Sequence, residues 1–342
     1  MFPLRCSNLL CVQLRTFSKT IPRLDRFSRD SLRNRIYKQN IKDLAKQNIQ
    51  GPGPSTLPYA GDVVALRPSR DLWKALGFTA FVGVTSFTLA VVSDLERTRK
   101  LPKTLQQAAT NFFNETFRGV PDNENNLTWK QLSAGEKNCF YLVGANLLVF
   151  VLWRVKALQP FMWRYFTNSF ASRSLCLPML LSAFSHSNLL HFGLNMYVVY
   201  SFASLAADKF LGVDQFWGFY CVAAVVSSLA SLLHKSAVRS SVRALGASGA
   251  ILALLTYTCM KMPDARLKIV FVPFFDFSAQ AAVFGILLFD LCGLVFKFRL
   301  FDHAAHLGGA LFGVFYALLG EHFIWQHYGN LVEEYYRKIR KE

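Results

Sequence analysis

Acidic side chains are scarce in this chain relative to basic ones. Its 342 residues hold 21 Asp and Glu against 38 Lys and Arg, for a net charge of +17, and charged residues together reach only 17%. The first acid is Asp25, so residues 1–24 are basic and acid-free. The excess of positive charge does not indicate nucleic-acid binding, because much of it sits in one arm. Residues 1–50 carry 11 Lys and Arg against Asp25, Asp30 and Asp43. Cysteine is present but unpatterned. Cys6, Cys11, Cys139, Cys176, Cys221, Cys259 and Cys292 show no CxxC spacing, which argues against a disulfide framework or a zinc site. Those within apolar runs read as small buried hydrophobes. Neither a nucleotide motif nor a metal-ligand spacing occurs, so no cofactor and no metal are expected. There is no internal repeat, which weakens a transporter built from inverted halves.

Apolar residues fill the space that charge leaves. The chain is 52% hydrophobic and 15% aromatic, with 32 Phe. Long apolar runs of this kind predict an all-α polytopic membrane protein embedded in a lipid bilayer. Residues 1–24 carry Arg5, Arg15, Lys19 and Arg23 with frequent Ser and Thr and no long apolar run, the composition of a mitochondrial transit peptide. Arg15-Thr16-Phe17-Ser18 resembles a matrix-protease site, with cleavage after Phe17. Residues 1–70 thus form a targeting and basic matrix arm, and Gly51-Pro52-Gly53-Pro54-Ser55 within it reads as a linker.

A first span is expected within 71–93, followed by a polar connection over 94–137 whose stretch Asn111 to Asn126 reads as a loop or surface helix. Six further spans fall within 138–321: Asn138 to Val155, Asn188 to Ala206, Asp214 to Leu233, a short helix from Ser248, Ala279 to Phe296, and His303 to Glu321. Trp163, Arg164, Tyr165 and Phe166 in the connection 156–185 are typical of a membrane interface. Residues 322–342 form a polar tail. The basic arm puts the N-terminus in the matrix by the positive-inside rule. Seven spans then place 156–185 on the matrix side and the C-terminus in the intermembrane space, although Arg337, Lys338, Arg340 and Lys341 do not favour that.

Gly246-Ala247-Ser248-Gly249 opens a run that stays apolar only to Met260. About 13 residues make roughly 20 Å of helix, against a bilayer core of about 30 Å. The preceding chain, Val238 to Leu245, is too polar for lipid-exposed helix. Irregular backbone at depth survives only where it is buried in protein or lines a wet cavity. Ser248 is therefore expected below the surface, at a helix start and at the floor of a pocket. The bland alternative is a packing patch of small residues.

Other polar groups lie in neighbouring spans. His191 and Asn195 share a helix face, either as functional groups or as interhelical hydrogen bonds. His306, Gly309 and Gly313 form one stripe, and Gly249 and Ala253 offer a matching one; if the stripes meet, His306 is carried to Ser248. A serine hydroxyl needs an adjacent base, and imidazole suits that role. His191, Asn195 and the Ser248 N–H can donate to an oxyanion. Asp302 and His303 could reach the same region but sit at the membrane edge. Asp290, inside the sixth span, requires a partner that the sequence does not name.

His191-xxx-Asn195, Gly246-Ala247-Ser248-Gly249 and Ala305-His306-xx-Gly309-xxx-Gly313, with Trp163-Arg164, together resemble the rhomboid family of intramembrane serine proteases over roughly 138–321. The extra leading span and the arm resemble its mitochondrial subgroup. The resemblance implies a six-helix core with one added N-terminal helix, in the mitochondrial inner membrane. It implies a Ser248–His306 dyad without a catalytic acid, an oxyanion site of His191, Asn195 and the Ser248 N–H, and support from Gly246, Gly249, Gly309 and Gly313. It implies single-span membrane substrates, in mitochondria a dynamin-like GTPase, a mitophagy kinase and a phosphatase, hence roles in mitochondrial dynamics and quality control. One departure matters. Many bacterial members carry Tyr four residues after the serine, stacked on the histidine; here that position is Leu252, so other packing must hold His306. Two other readings remain: a non-catalytic relative that binds transmembrane segments, and a channel or transporter using His191, Asn195 and His306 as a polar pathway.

Overall fold

The computed structural model describes residues 65–116, 129, 131–269, 272–298 and 301–341. Residues 1–64 of the arm, including its linker, and the stretch 117–126 lie outside the described residues.

Among the described residues, ten α-helices and one hairpin follow one another. They are α1 (Leu72–Thr116), α2 (Ala134–Leu152), α3 (Gln159–Tyr165), α4 (Cys176–Leu181), α5 (Leu189–Ala206), α6 (Gly212–Ala237), α7 (Ser248–Lys261), β1 (Arg266–Ile269), β2 (Val272–Ser278), α8 (Ala279–Val295), α9 (His303–Phe315) and α10 (Tyr328–Arg340). A wide-wound stretch, Tyr316–His327, joins α9 to α10. Helix starts follow their caps. Ser133 accepts from the Glu136 N–H and Glu136 answers the Ser133 N–H, a capping box on α2. Asn188, Ser278 and Asp302 each accept one backbone N–H at the start of α5, α8 and α9, as simple caps without the reciprocal bond.

α1 runs on through the segment read as a polar connection. At 45 residues it is about 68 Å long, more than twice a bilayer core of about 30 Å. Among the described residues, three helical stretches are long and apolar enough to cross a membrane: Ser69–Lys100, Leu189–Ala237 and His303–Arg340. Ala134–Leu152 and Lys156–Tyr165, bent by 94°, pass the same test only when taken together, as a broken span or a re-entrant loop.

The stretch Leu189–Ala237 is a hairpin. It unwinds over Ala207–Leu211, and Gly212 takes φ +71°, which breaks the helix. The end of α5 and the start of α6 both bond to the start of α2. Ser133 Oγ and the Gly135 N–H donate to Asp208, and Asn138 donates to the Val213 carbonyl. The start of α5 and the later half of α6 both lie at the other end, near His306. Followed this way, α1, α2, α5, α6, α7, α8 and α9 alternate in direction.

The core sits where α5, α6, α7 and α9 meet. Phe216, Phe219, Tyr220, Tyr257, Phe312 and Tyr316 are buried together there, and Phe219, Tyr257 and Tyr316 meet one another in tilted and edge-on contacts. The hairpin β1–β2 between α7 and α8 pairs Arg266 with Ser278 and Leu267 with Phe277. It was not expected from the sequence, where Arg266-Leu267-Lys268-Ile269 and Phe275-Asp276-Phe277-Ser278 alternate over four residues each, the shortest pattern that marks a strand.

Residues before α1 are tied to the connection before α4. The Arg67 N–H donates to the Phe170 carbonyl at 3.1 Å, and its guanidinium donates to the Ser172 and Arg173 carbonyls. The middle of α1 meets α6 and α10, through Ser93 and Arg97 on Asp214 and through Thr88 against Tyr328. The chain before α1 and the segment 166–173 therefore share one face of the bundle, and α10 stands at the other.

Candidate active site

α7 starts at Ser248 because the chain before it cannot be helical. Gly246 holds φ +146°, open to glycine and strained for any side chain. The irregular stretch 240–246 must find partners for its backbone, and the earlier connection supplies them. Asn168 and Ala244 exchange two backbone bonds of 2.7 and 2.8 Å, and the Gly246 N–H donates to the Ser182 carbonyl at 3.0 Å. Ser169 Oγ donates to the Ser241 carbonyl. Arg243 donates to the Trp163 carbonyl and to Thr167 Oγ1, with Trp163 close to its guanidinium. Trp163 thus enters as scaffold for the loop that delivers Ser248.

α9 packs against α7 along glycines. Gly309 lies on the Gly249 backbone and Gly313 on Ala253 and Thr256, while Gly308 faces Ala230 of α6. That approach carries His306 to the start of α7. Ser248 Oγ and His306 Nε2 are 2.7 Å apart, from positions 58 residues apart in the chain. With Nδ1 protonated, Nε2 is an acceptor for the serine hydroxyl. As the first residue of α7, Ser248 also contributes one of the N–H groups that a helix start leaves without an intrahelical partner.

His191 stands three residues into α5, where its N–H bonds the Asn188 cap at 2.8 Å. Its ring lies beside Gly246: a Cβ there would be 3.0 Å from Cε1 and 3.2 Å from Nε2. Nδ1 faces Ser187 Oγ at 3.3 Å. Asn195 sits one turn deeper and is buried; its Nδ2 donates to the His191 carbonyl at 2.9 Å. One N–H of that amide is thus engaged within α5, and the second remains. His186 is buried with its ring 5.1 Å from that of His191.

Three placements go beyond the sequence reading. Asp302 does not approach the His306 ring: its carboxylate accepts from Ser231, Lys235 and the Ala305 N–H. Burial pushes that carboxyl up, but the Lys235 charge and these hydrogen bonds outweigh it and hold it at about 2. His303 turns to α8, where Nδ1 meets Asp290 Oδ1 at 2.7 Å, and the same oxygen lies 3.3 Å from His306 Nδ1. The only signal for this in the sequence was an acid in mid-span without a named partner. Phe301 lies over His306, with ring centroids 5.7 Å apart and planes 31° apart. It supplies the ring contact that Leu252 does not offer. Among the described residues, no group of three or more His, Cys, Asp and Glu could hold a metal ion.

Residues 162–322 match the Rhomboid domain family. The chain is 40% identical over 270 residues to human "Presenilin-associated rhomboid-like protein, mitochondrial", covering 78% of this chain and 71% of that one. The mouse protein of the same name is 40% identical over 272 residues, with the same coverage. The chain belongs to the rhomboid family. It is also 32% identical over 183 residues to "Rhomboid protein 1, mitochondrial" of Saccharomyces cerevisiae, covering 53% of this chain and 52% of that one. In this rhomboid-family chain the matched segment encloses Trp163, His191, Asn195, Ser248, Asp290 and His306, while α1 and α2 precede it.

Proposed function

We propose that the chain is an intramembrane serine endopeptidase of the mitochondrial inner membrane, with seven crossings arranged as one leading helix and a six-helix core. The observation that carries this is the 2.7 Å approach of Ser248 Oγ to His306 Nε2 at a helix start. Ser248 Oγ attacks the scissile carbonyl while its proton passes to His306 Nε2. The oxyanion forms against the Ser248 N–H and the positive ends of α7 and α5, with His191 and an Asn195 amide N–H as side-chain donors. Collapse breaks the C–N bond, and His306 returns the proton to the departing amine. Water then adds to the acyl-serine through the same base, releasing the acid and restoring Ser248.

Membrane placement is read from the same contacts. The names of the relatives and the acid-free arm support mitochondria. If the arm lies in the matrix, the bonds of Arg67 to the segment 170–173 support a site mouth that faces the matrix. Single-span membrane proteins are the substrates this reading expects, among them the GTPase, kinase and phosphatase classes named above. The test is cleavage of a fluorogenic transmembrane peptide by protein in liposomes. Activity should disappear in Ser248→Ala and in His306→Ala, each with an unchanged thermal midpoint. Cleavage persisting in Ser248→Ala would remove the nucleophile, and retained peptide binding by an inactive wild type would favour the non-catalytic reading.

A further inference from the structure

We infer that Asp290 and His303 act as a positioning pair for His306, so that the serine–histidine couple is steered by a buried carboxylate. This rests on the hydrolase reading above. Asp290 is almost wholly buried, and a carboxylate within an apolar helix is costly unless its oxygens are answered. One oxygen, Oδ1, receives His303 Nδ1 at 2.7 Å and lies 3.3 Å from His306 Nδ1. The second contact is long, as such contacts are before a substrate tightens them.

The geometry selects a tautomer. With Nδ1 protonated, His306 presents an N–H to the carboxylate and a lone pair to Ser248. The other tautomer would set a lone pair against the carboxylate and direct an N–H at the serine oxygen. Asp290 thus favours the form that can accept the serine proton, and it stabilises the imidazolium that results. The proton moves from Ser248 Oγ to His306 Nε2, and none moves to Asp290.

His303 keeps Asp290 in place. A carboxylate with His306 alone could rotate away, but the His303 contact pins Oδ1. His303 is itself fixed. Its ring lies on bare backbone at Gly293, where a Cβ would stand 2.4 Å from Cγ and Nδ1. Phe289, Phe298 and Phe301 surround it at centroid distances of 5.5, 6.0 and 5.9 Å. The groups facing His306 are then Ser248 from α7, His191 from α5, Asp290 from α8 and His303 one turn earlier on α9.

The test uses the full chain in detergent and a fluorophosphonate probe, which needs an activated serine but no particular substrate. Labelling rate is measured against pH for wild type, Asp290→Asn, His303→Asn, His303→Phe and Ser248→Ala. Asp290→Asn should label about 10-fold more slowly or worse. Its acid limb should differ from that of wild type, because the charge facing His306 has been removed. His303→Asn keeps a donor near the Nδ1 position and should retain more activity than His303→Phe. A merely structural tie would lower the folded fraction and leave the limb where it stands. An unmoved limb in Asp290→Asn overturns the inference. If Asp290→Asn does not fold, equal rates and equal limbs in the two His303 variants overturn it instead. An unlabelled wild type, or labelling that survives Ser248→Ala, overturns the hydrolase reading itself, which separates the two failures.

Discussion

Gly309→Ala is the sharpest probe of how the two helices deliver the site. A Cβ at Gly309 would stand 2.0 Å from the Gly249 carbonyl oxygen and 2.7 Å from its carbonyl carbon. An unstrained carbon–oxygen contact needs about 3.3 Å, so α9 and α7 must part by more than about 1 Å there. Gly249 adjoins Ser248, and Gly309 is one turn from His306. The 2.7 Å separation of Ser248 and His306 would then open beyond the hydrogen-bond reach of about 3.2 Å. Displacement of about 1 Å can cost about 10²-fold in rate. The stability change should be much smaller in effect. Overpacking costs about 1–3 kcal/mol, and alanine in place of a helical glycine returns up to about 1 kcal/mol. The expected result is a folded protein with a modestly lower thermal midpoint and fluorophosphonate labelling reduced about 100-fold. Gly285→Ala is the control, since a Cβ there meets nothing within 4 Å. Gly309→Ala labelling at the wild-type rate would refute the argument that glycine contact sets the Ser248–His306 distance.

Three further outcomes follow from the same coordinates. In Gly246→Ala the side chain would occupy φ +146° and press within 3.0 Å of His191 Cε1, so stability should fall by about 1–3 kcal/mol and labelling should slow; an unchanged midpoint and rate would count against both effects. Tyr257 donates to Glu321, which also accepts Lys261 Nζ at 2.7 Å. Tyr257→Phe should lower stability by about 1–3 kcal/mol with an unchanged labelling rate, because it lies more than two turns from Ser248; a slower rate at an unchanged midpoint would contradict this. Asp302 has its carboxyl held at about 2, below the value of about 3.9 in an unfolded chain. Its contribution of about 2 kcal/mol is therefore full above the unfolded value and is lost as pH falls through about 2. Asp302→Asn should lower the thermal midpoint at pH 7, and the gap from wild type should close toward that acid limit. A gap of constant size across that range would exclude the ion-pair origin.

What the sequence made legible was periodicity and small-residue pattern. The apolar runs located α2, α5, α6, α8 and α9 to within a few residues, because a helix in an apolar medium must be apolar over most of its length. The continuation of α1 to Thr116 was not legible. Polar residues there fit a surface helix and a loop equally well. The hairpin β1–β2 was hidden because short strands between two helices leave too little alternation to read. The stripe of His306, Gly309 and Gly313 was visible, and the structure sets it against Gly249 and Ala253 with Ser248 beside His306.

The site's surroundings depend on contacts between distant segments, which no local pattern reports. Asn168 and Ala244 lie 76 residues apart, and neither has a side chain that announces a backbone bridge. Asp302 illustrates how proximity in sequence misleads. It is four residues before His306, on a face that could have reached the ring, yet Lys235 and Ser231 from α6 claim its carboxylate. Asp290 is 16 residues before His306 on another helix, and it lies against the ring. The physical reason is solvation. At a helix start a carboxylate finds backbone N–H groups and a nearby lysine, so Asp302 is satisfied without the histidine. Asp290 lies in mid-helix, and among the described residues of the facing helix His303 and His306 bring N–H groups to it. In this chain the acid with fewer local alternatives is the one that lies against the site.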